Sequence, residues 1–330
     1  MMPGAPASSL DAEGIRLSSI RDNDLERYWS DPEVLVARAL HNKGNFYAGD
    51  DSLPSSQLSG SPLLLSAFLG AKLEFAPNTV WTHPSVDDIK SLENLKFDSQ
   101  NRWWKLFEES FRRLTASPDV IPVMLDFGGL LDNLAGLVGS ETMLIETADR
   151  PELIKTVLGN MREVAIECYH RLFEILGTPA NGTSNWLNLW SPGRTGILQN
   201  DFSIMISTDV YRELAFEEFN VMGPMYDDCI FHLDGTACSR HLEKFLLEIP
   251  WIHAVQLGSD PGTKAMEVLP AIQLLQSKGK RVYTYVFPDE IEDLFSKISP
   301  RGVCVITAVH SEEEAEDVLG RLVKVCKHRA

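Results

Sequence analysis

The sequence predicts an α/β fold, a (β/α)8 TIM barrel, and three observations carry that prediction. Short runs of β-branched and aromatic residues alternate with amphipathic helical stretches along most of the chain, a rhythm typical of parallel strands joined by helices. No glycine-rich dinucleotide turn follows any of these runs, which disfavours an open doubly wound sheet. Polar residues also recur at the ends of the strands, where the active sites of such barrels lie.

The chain divides into residues 1–44, a tail with a helical segment, and residues 45–330, the expected barrel domain. Seven runs are candidate strands in the second part: 72–81, 120–127, 184–190, 229–234, 253–257, 281–287 and 303–309. An eighth strand is expected near residues 63–68, a short apolar run that pattern alone does not assign to helix or strand.

Several helices between the strands have recognisable ends. Residues 151–176 place apolar side chains on one face, and Gly177 follows as a natural left-handed cap. Ser311 and Glu314 have the spacing of a capping box ahead of the last helix.

Composition limits the classes of partner. The formal net charge of −17 opposes binding to nucleic acid or to anionic membranes, so neither partner is expected. The amino terminus has neither a basic leader nor the apolar core of a signal peptide, and no apolar run approaches the roughly 18 residues of a spanning helix. Five scattered cysteines, with no Cys-x-x-Cys pair, are typical of a reducing compartment. These observations predict a cytoplasmic protein.

His232 and Asp234 form the strongest candidate site. Residues two apart in a strand point to the same side, so both side chains would face the mouth of the barrel, where they suit a divalent metal or a base with its orienting carboxylate. His310 follows a later strand and would complete a set of two histidines and one carboxylate. The alternatives are a structural turn at Asp234, a core histidine at 232 and a surface histidine at 310.

Other strand ends supply weaker candidates. Arg194 suits a bidentate clamp on a carboxylate or phosphate, with a surface ion pair as the alternative, and Asp201 is a candidate ligand-contacting carboxylate. Ser207 is better explained as a helix cap, and Cys304 as a packed thiol. Substrate-binding candidates are Trp81, His83, Asp126, Trp186, Trp190, Gln256 and Tyr285, although aromatic residues of this kind more often belong to the core.

Several motifs together resemble one family. They are NTVWTHP at 78–84, WW at 103–104, LWSPGR at 189–194, QNDF at 199–202, HLDG at 232–235, RHL at 240–242 and PRG at 300–302. In this order they resemble the uroporphyrinogen decarboxylase-like superfamily, from about residue 45 to the end. The resemblance implies a (β/α)8 barrel. It also implies the activity of a uroporphyrinogen decarboxylase, which uses no cofactor, or of a zinc-dependent methyltransferase that passes methyl groups between corrinoid proteins and thiols such as coenzyme M.

The sequence departs from both branches. The arginine-containing segment Arg-Gln-Ala-Gly-Arg, with which the decarboxylases bind tetrapyrrole carboxylates, is missing. The methyltransferases carry His-x-Cys and a later cysteine as zinc ligands, whereas this chain has His232-Leu233-Asp234 and, near the third position, His310. The resemblance therefore implies Zn²⁺ or another divalent metal in a site with harder ligands.

Three functions follow as hypotheses. The first is a metal-dependent methyltransferase or demethylase of a small molecule that uses His232 and Asp234, with a corrinoid bound only through a partner protein. The second is a decarboxylase of a carboxylated small molecule, in which Asp201 or Asp126 stabilises a protonated intermediate and Arg194 holds the acid. The third is a ligand-binding barrel without catalysis. A homodimer is a candidate assembly.

Overall fold

The computed structural model describes residues 17–44, 55–58, 64–117, 120–177, 182–258, 260 and 262–329. Two compact units divide the chain: Met1–Ala48 with Ser52–Thr195, and Gly49–Asp51 with Gly196–Ala330. The predicted tail up to residue 16, and residues 45–54 beside the predicted boundary at 44, lie outside the described residues. That boundary stays a prediction.

The first unit is mainly helical. Its helices are α1 (Leu17–Asn23), α2 (Leu25–Ser30), α3 (Pro32–Gly44), α4 (Leu64–Phe68), α5 (Arg102–Thr115), α6 (Leu130–Val138), α7 (Ser140–Asp149) and α8 (Pro151–Leu176). Its strands are β1 (Ser55–Ser56), β2 (Lys72–Phe75), β3 (Val80–His83), β4 (Ile121–Pro122), β5 (Thr183–Ser184) and β6 (Trp190–Ser191). Helix α8 ends at the predicted residue, and Gly177 has the expected left-handed backbone, with φ of 62°.

Three predicted strands of this unit differ in the structure. Residues 72–81 form an antiparallel hairpin, β2 with β3, because Pro77 and Asn78 interrupt the run with a turn. Residues 184–190 form the antiparallel pair β5 and β6, because the Asn185 side chain accepts hydrogen bonds from the backbone of the turn between them. The run at 63–68 contains helix α4, which is buried on every side and so shows no helical periodicity.

Parallel pairing in the first unit links short segments. Strand β1 pairs with β4 in parallel, with Ser55 opposite Ile121. A single parallel bridge then joins Val123 to Ser184. Parallel pairing in this unit is therefore limited to three short segments, and most of its buried residues lie in helices.

A buried asparagine organises the core of the first unit. The Asn133 side chain is completely buried and its Oδ1 accepts hydrogen bonds from the backbone N–H and hydroxyl of Ser66, at 2.7 and 2.8 Å. Its Nδ2 donates to the carbonyl oxygens of Phe127 and Gly129, at 2.6 and 2.7 Å. One amide thus joins α4, α6 and the segment between β4 and α6, and satisfies backbone groups that would otherwise be buried without partners.

We predict that Asn133→Ala lowers the free energy of unfolding by about 3 kcal/mol, because several buried polar groups lose their partner together. Denaturant titration measures the effect. The matched control is Asn220→Ala, since the Asn220 side chain makes one exposed hydrogen bond to Phe216, and we expect a change within about 0.5 kcal/mol. Equal effects of the two substitutions would contradict the prediction.

The second unit is built on a five-stranded parallel sheet. Its strands are β7 (Thr195–Gln199), which starts at the last residue of the first unit, β8 (Asp228–Leu233), β9 (Ala254–Leu257), β10 (Arg281–Tyr285) and β11 (Val303–Ile306). Their order in the sheet is β11-β10-β9-β8-β7. The helices are α9 (Thr208–Met222), α10 (Arg240–Lys244), α11 (Leu269–Ser277), α12 (Ile291–Lys297) and α13 (Glu312–Arg329).

Predicted caps and strands of this unit are confirmed, with shorter strand ends. The Ser207 hydroxyl accepts from the N–H of Val210 at the start of α9, and the Ser311 hydroxyl accepts from the N–H of Glu314 in α13.

Strand β7 was not predicted. Its Gly196 lies against the ring of Tyr226, which a Cβ atom would approach to 2.1 Å, so a glycine that suggests a loop is in fact required by packing.

Cross-strand register aligns one row of polar side chains on this sheet. His232 lies opposite Gln256, Gln256 opposite Tyr283, and Tyr283 opposite Cys304. Side chains at paired positions of parallel strands point to the same face.

The prediction of a packed Cys304 is wrong, because the residue is exposed on β11, which lies at one end of the strand order.

The structure thus confirms a mixed α/β fold with a parallel sheet. The described residues do not show a closed barrel, and the (β/α)8 closure stays a prediction. Of the helices in the described ranges, none has the length and apolarity needed to cross a bilayer.

Candidate functional site

Three acidic and imidazole side chains converge at the carboxyl edge of the parallel sheet. His232 lies near the end of β8 and Asp234 directly after it, while Asp201 follows β7 in a 3-10 turn, Asp201–Met205. One ligand atom from each lies within 4.8 Å of the others. The sequence placed His232 and Asp234 together. The structure adds Asp201 to the group, from the neighbouring strand.

A hydrogen bond orients the His232 ring. Its Nδ1 contacts the Oε1 atom of Gln256, and because an amide oxygen only accepts, Nδ1 carries the proton. A neutral ring then has its lone pair on Nε2, which faces Oδ1 of Asp234 at 3.9 Å. The His232 side chain is 12% exposed and that of Asp234 is 57% exposed. The histidine is therefore enclosed by protein, and the carboxylate is accessible to solvent.

His232 and Asp234 both affect the pKa of the Asp201 carboxyl group. Burial raises the pKa of its carboxyl group, His232 lowers it and Asp234 raises it again. Protein atoms therefore surround the carboxyl group, yet the residue keeps an exposed surface, as a group that meets a ligand requires. Two carboxylates this close repel each other, and a bound cation would remove that repulsion.

Two side chains from the RHL motif hold the segment that carries Asp201. Nη2 of Arg240 donates to the carbonyl oxygens of Ser203, Ile204 and Ile206, at 3.3, 2.8 and 3.0 Å. The Nε2 atom of the buried His241 donates to Ser203 as well, at 3.1 Å. These bonds fix the backbone just after Asp201.

The His241 ring acts here as a neutral structural group. Because Nε2 donates to a carbonyl oxygen, Nδ1 accepts a hydrogen bond from the hydroxyl of Thr208, at 2.9 Å. Burial lowers the pKa of His241, the hydrogen bond to Ser203 raises it and the charge of Arg240 lowers it further. On the other side of the segment, Asn200 donates to the buried carboxylate of Glu218, at 3.0 Å.

Cys238 lies near the group and was not expected there. Its Sγ is 3.7 Å from the hydroxyl of Ser203. Burial raises the pKa of the thiol, Ser203 and Arg240 lower it, and the carboxylates of Asp201 and Asp234 raise it again. The thiol is thus held in its protonated form, outside the set of ligand atoms within 4.8 Å. No sequence signal marked it, since Cys238 lies in a turn after the strand.

Other predicted residues of the second unit have different surroundings. Gln256 contacts His232, as described above. Tyr285 packs edge-on against Phe287, with ring centroids 5.0 Å apart. His310 is exposed at the start of α13, where its backbone N–H donates to Glu314, and it is not a member of the three-residue group.

Predicted site residues near the hairpin and β4 belong to the first unit. Trp81 is 59% exposed, and His83 contacts the Glu74 carboxylate across the hairpin at 2.7 Å. The Asp126 carboxylate accepts from the N–H of Gly128, at 2.9 Å. His83 and Asp126 thus make local contacts, and their substrate-binding roles stay predictions.

The remaining predicted residues of the first unit lie around β5 and β6. Trp186 is half-buried in the turn between these strands, and Trp190 is exposed on β6. The guanidinium of Arg194 lies over the ring of Phe173, 4.5 Å from its centroid, a cation–π contact. Their roles toward a substrate likewise stay predictions.

Comparison with solved structures shows a likeness in fold. No family model matches the sequence, and no curated protein matches it. Among solved structures, a methyltransferase from Methanosarcina mazei is similar, with a TM-score of 0.59 and 15% sequence identity, over 98% of this chain and 93% of that one. At this identity the likeness establishes a methyltransferase-like fold, and function has to be argued from the site.

We predict that Arg240→Met loosens the segment after Asp201, because three backbone carbonyls lose one donor. Hydrogen exchange of the Ser203 and Ile206 amides should become about tenfold faster, which corresponds to ~1.4 kcal/mol of local stability. Arg212→Met is the matched control, since Arg212 bonds to Lys244 and Glu248 on the surface. Unchanged exchange in the Arg240 variant would show that the clamp does not hold the segment.

Proposed function

We propose that the chain is a metal-dependent methyltransferase or demethylase of a small molecule. The convergence of Asp201, His232 and Asp234 within 4.8 Å is the observation that carries the proposal. Membership of the uroporphyrinogen decarboxylase-like superfamily, its (β/α)8 barrel and a corrinoid protein as methyl-group partner belong to the same proposal. The methyltransferase-like fold and the motif resemblance support it.

The donor set suits a divalent ion. Two carboxylates and one imidazole offer oxygen and nitrogen ligands that Zn²⁺ and other first-row divalent ions accept. His232 Nε2 is the nitrogen that would bind, since Nδ1 is committed to Gln256. Asp234 and Asp201 would neutralise the charge of the ion. Such an ion supplies Lewis acidity, which lowers the pKa of a coordinated thiol or water.

Protein side chains do the remaining work in this proposal. His232 is fixed by Gln256, and Asp201 is fixed through the segment that Arg240 and His241 hold. Holding the ligands in place before the substrate binds reduces the reorganisation that the reaction requires. The exposed side of Asp234 leaves an approach for the small molecule.

Methyl transfer is favoured over decarboxylation by the available contacts. The decarboxylase hypothesis assigns a substrate carboxylate to Arg194, whose guanidinium stacks on Phe173. It also assigns the stabilisation of a protonated intermediate to Asp201 or Asp126, and Asp201 is grouped with His232 and Asp234. A pair of carboxylates beside an imidazole is a better site for a cation than for a substrate carboxylate.

We predict that the purified protein binds about one divalent ion per chain. His232→Ala, Asp201→Asn and Asp234→Asn should each weaken the affinity for Zn²⁺ by roughly 10- to 100-fold, because each removes a ligand. Competition with a chromogenic chelator measures this. His310→Ala, which changes a residue outside the group, should stay within about twofold of wild type. Loss of Zn²⁺ in His310→Ala with retention in Asp201→Asn would favour the ligand set predicted from sequence.

We further predict methyl transfer from methylcobalamin, used in place of a corrinoid protein, to a small thiol such as coenzyme M. The loss of the methyl–cobalt absorbance follows the reaction. His232→Ala should slow it by about 100-fold, since each removed transition-state interaction of ~2.7 kcal/mol costs that factor. Arg212→Met, on the surface, should not slow it. Carbon dioxide release from carboxylated compounds with no methyl transfer would instead support the decarboxylase hypothesis.

A further inference from the structure

Gln256 of β9 and Gly258, two residues later, lie beside the proposed ligands His232 and Asp234. His232-Leu233-Asp234 lies beside Gln256-Leu257-Gly258, with His232 opposite Gln256 and Leu233 opposite Leu257. The pairing continues past the strand end, because the N–H of Gly258 donates to the carbonyl oxygen of Leu233 at 2.8 Å. His232 and Asp234 therefore each have a fixed neighbour, Gln256 in β9 and Gly258 directly after it.

The first neighbour supplies a hydrogen-bond acceptor. Gln256 and His232 are both partly buried, and paired positions point to the same face of the sheet. The contact from Gln256 Oε1 to His232 Nδ1 selects the tautomer with the lone pair on Nε2. Partners of this kind orient metal-binding histidines and set which ring nitrogen binds.

The second neighbour, Gly258, has no side chain and so leaves room for the Asp234 carboxylate. A Cβ atom at Gly258 would lie 3.0 Å from Oδ1 of Asp234 and 3.1 Å from the carbonyl oxygen of Leu233. Both distances are tighter than ordinary van der Waals contact, so any larger side chain would displace the carboxylate by a few tenths of an ångström. Glycine at 258 thus allows Asp234 to lie beside His232.

We infer that Gln256 and Gly258 are positioning residues: Gln256 fixes the His232 tautomer and Gly258 clears the position of the Asp234 carboxylate. This assigns Gln256, a substrate-binding candidate by sequence, to the orientation of a ligand. The metal-binding consequence rests on the proposed function. The tautomer consequence does not, since the hydrogen bond exists within the chain.

The tautomer test uses the metal-free full-length protein labelled with ¹⁵N-histidine. Two-bond ¹H–¹⁵N spectra at about pH 8.5, above the ordinary His pKa of ~6.5, distinguish the two tautomers, and the His232→Ala spectrum assigns the signals. We expect His232 to be protonated at Nδ1 in wild type and in Gln256→Glu, which keeps an acceptor. In Gln256→Met, of similar size and without a strong acceptor, at least half of the population should move to Nε2–H. An unchanged tautomer in Gln256→Met would overturn the role of Gln256.

The affinity test uses Zn²⁺ with the same chelator competition. Gln256→Met should weaken binding by about 10- to 100-fold and Gln256→Glu by less than about threefold. Gly258→Ala should weaken it by about tenfold, whereas Gly320→Ala, with no atom within 4 Å of its new Cβ, should have no effect. Wild-type affinity in both Gln256→Met and Gly258→Ala would overturn the inference. Thermal unfolding identifies a variant that loses Zn²⁺ only because it is misfolded, and the tautomer result then decides.

The two tests separate this inference from the proposed function. If wild-type protein binds no Zn²⁺ but Gln256→Met changes the His232 tautomer, the metal proposal fails and the positioning role of Gln256 stands. If Zn²⁺ binds tightly in wild type and in every β9 variant, the metal proposal stands and the positioning role fails.

Discussion

The parallel pairing of β8 with β9 is the constraint on which the site depends. The register places Gln256 beside His232, and the next hydrogen bond, from Gly258 to Leu233, continues it beyond the strands. Because side chains alternate between faces with a period of two, a slip of one residue would turn His232 toward the opposite face. The site therefore depends on the backbone ladder as much as on its own side chains. The opposite face of the sheet resists such a slip, since Phe231 packs there against Phe219 of α9.

Asp201 is held by a different kind of support. It lies in a short 3-10 turn after β7, beyond the end of the strand. Its position instead depends on side chains that bond to backbone carbonyls, chiefly Arg240 and the buried His241. The motif that contains both lies only a few residues after Asp234, so one loop carries a ligand and the clamp for another. Asp201 thus depends on side-chain contacts to its segment, whereas His232 lies in a strand that is paired with β9.

Local patterns predicted local features of this chain well. The spacing of His232 and Asp234 gave their shared face, and the caps at Ser207 and Ser311 were predicted from residue type alone. Features set by distant contacts were not predicted. Strand β7 contains Gly196, whose need for space against Tyr226 is invisible without the fold. The third member of the group was expected at 310 because a later strand ends there, but which strand ends meet depends on sheet order and loop course.

The charges of the three side chains determine which kind of ligand the site can bind. Two carboxylates bring two negative charges, and the third donor, Nε2 of His232, presents a lone pair once Nδ1 is bonded to Gln256. Three acceptors that face one another repel unless a positive charge lies among them. Burial is the main cause of the raised pKa of Asp201, His232 lowers that pKa, and the Asp234 carboxylate raises it again. A substrate anion would add to the repulsion, whereas a divalent cation balances it. Under the proposed function, a cation would therefore have to bind before an anionic methyl acceptor could approach. In that proposal, Gln256, Gly258 and the Arg240 clamp would hold the three acceptors close together before the cation binds.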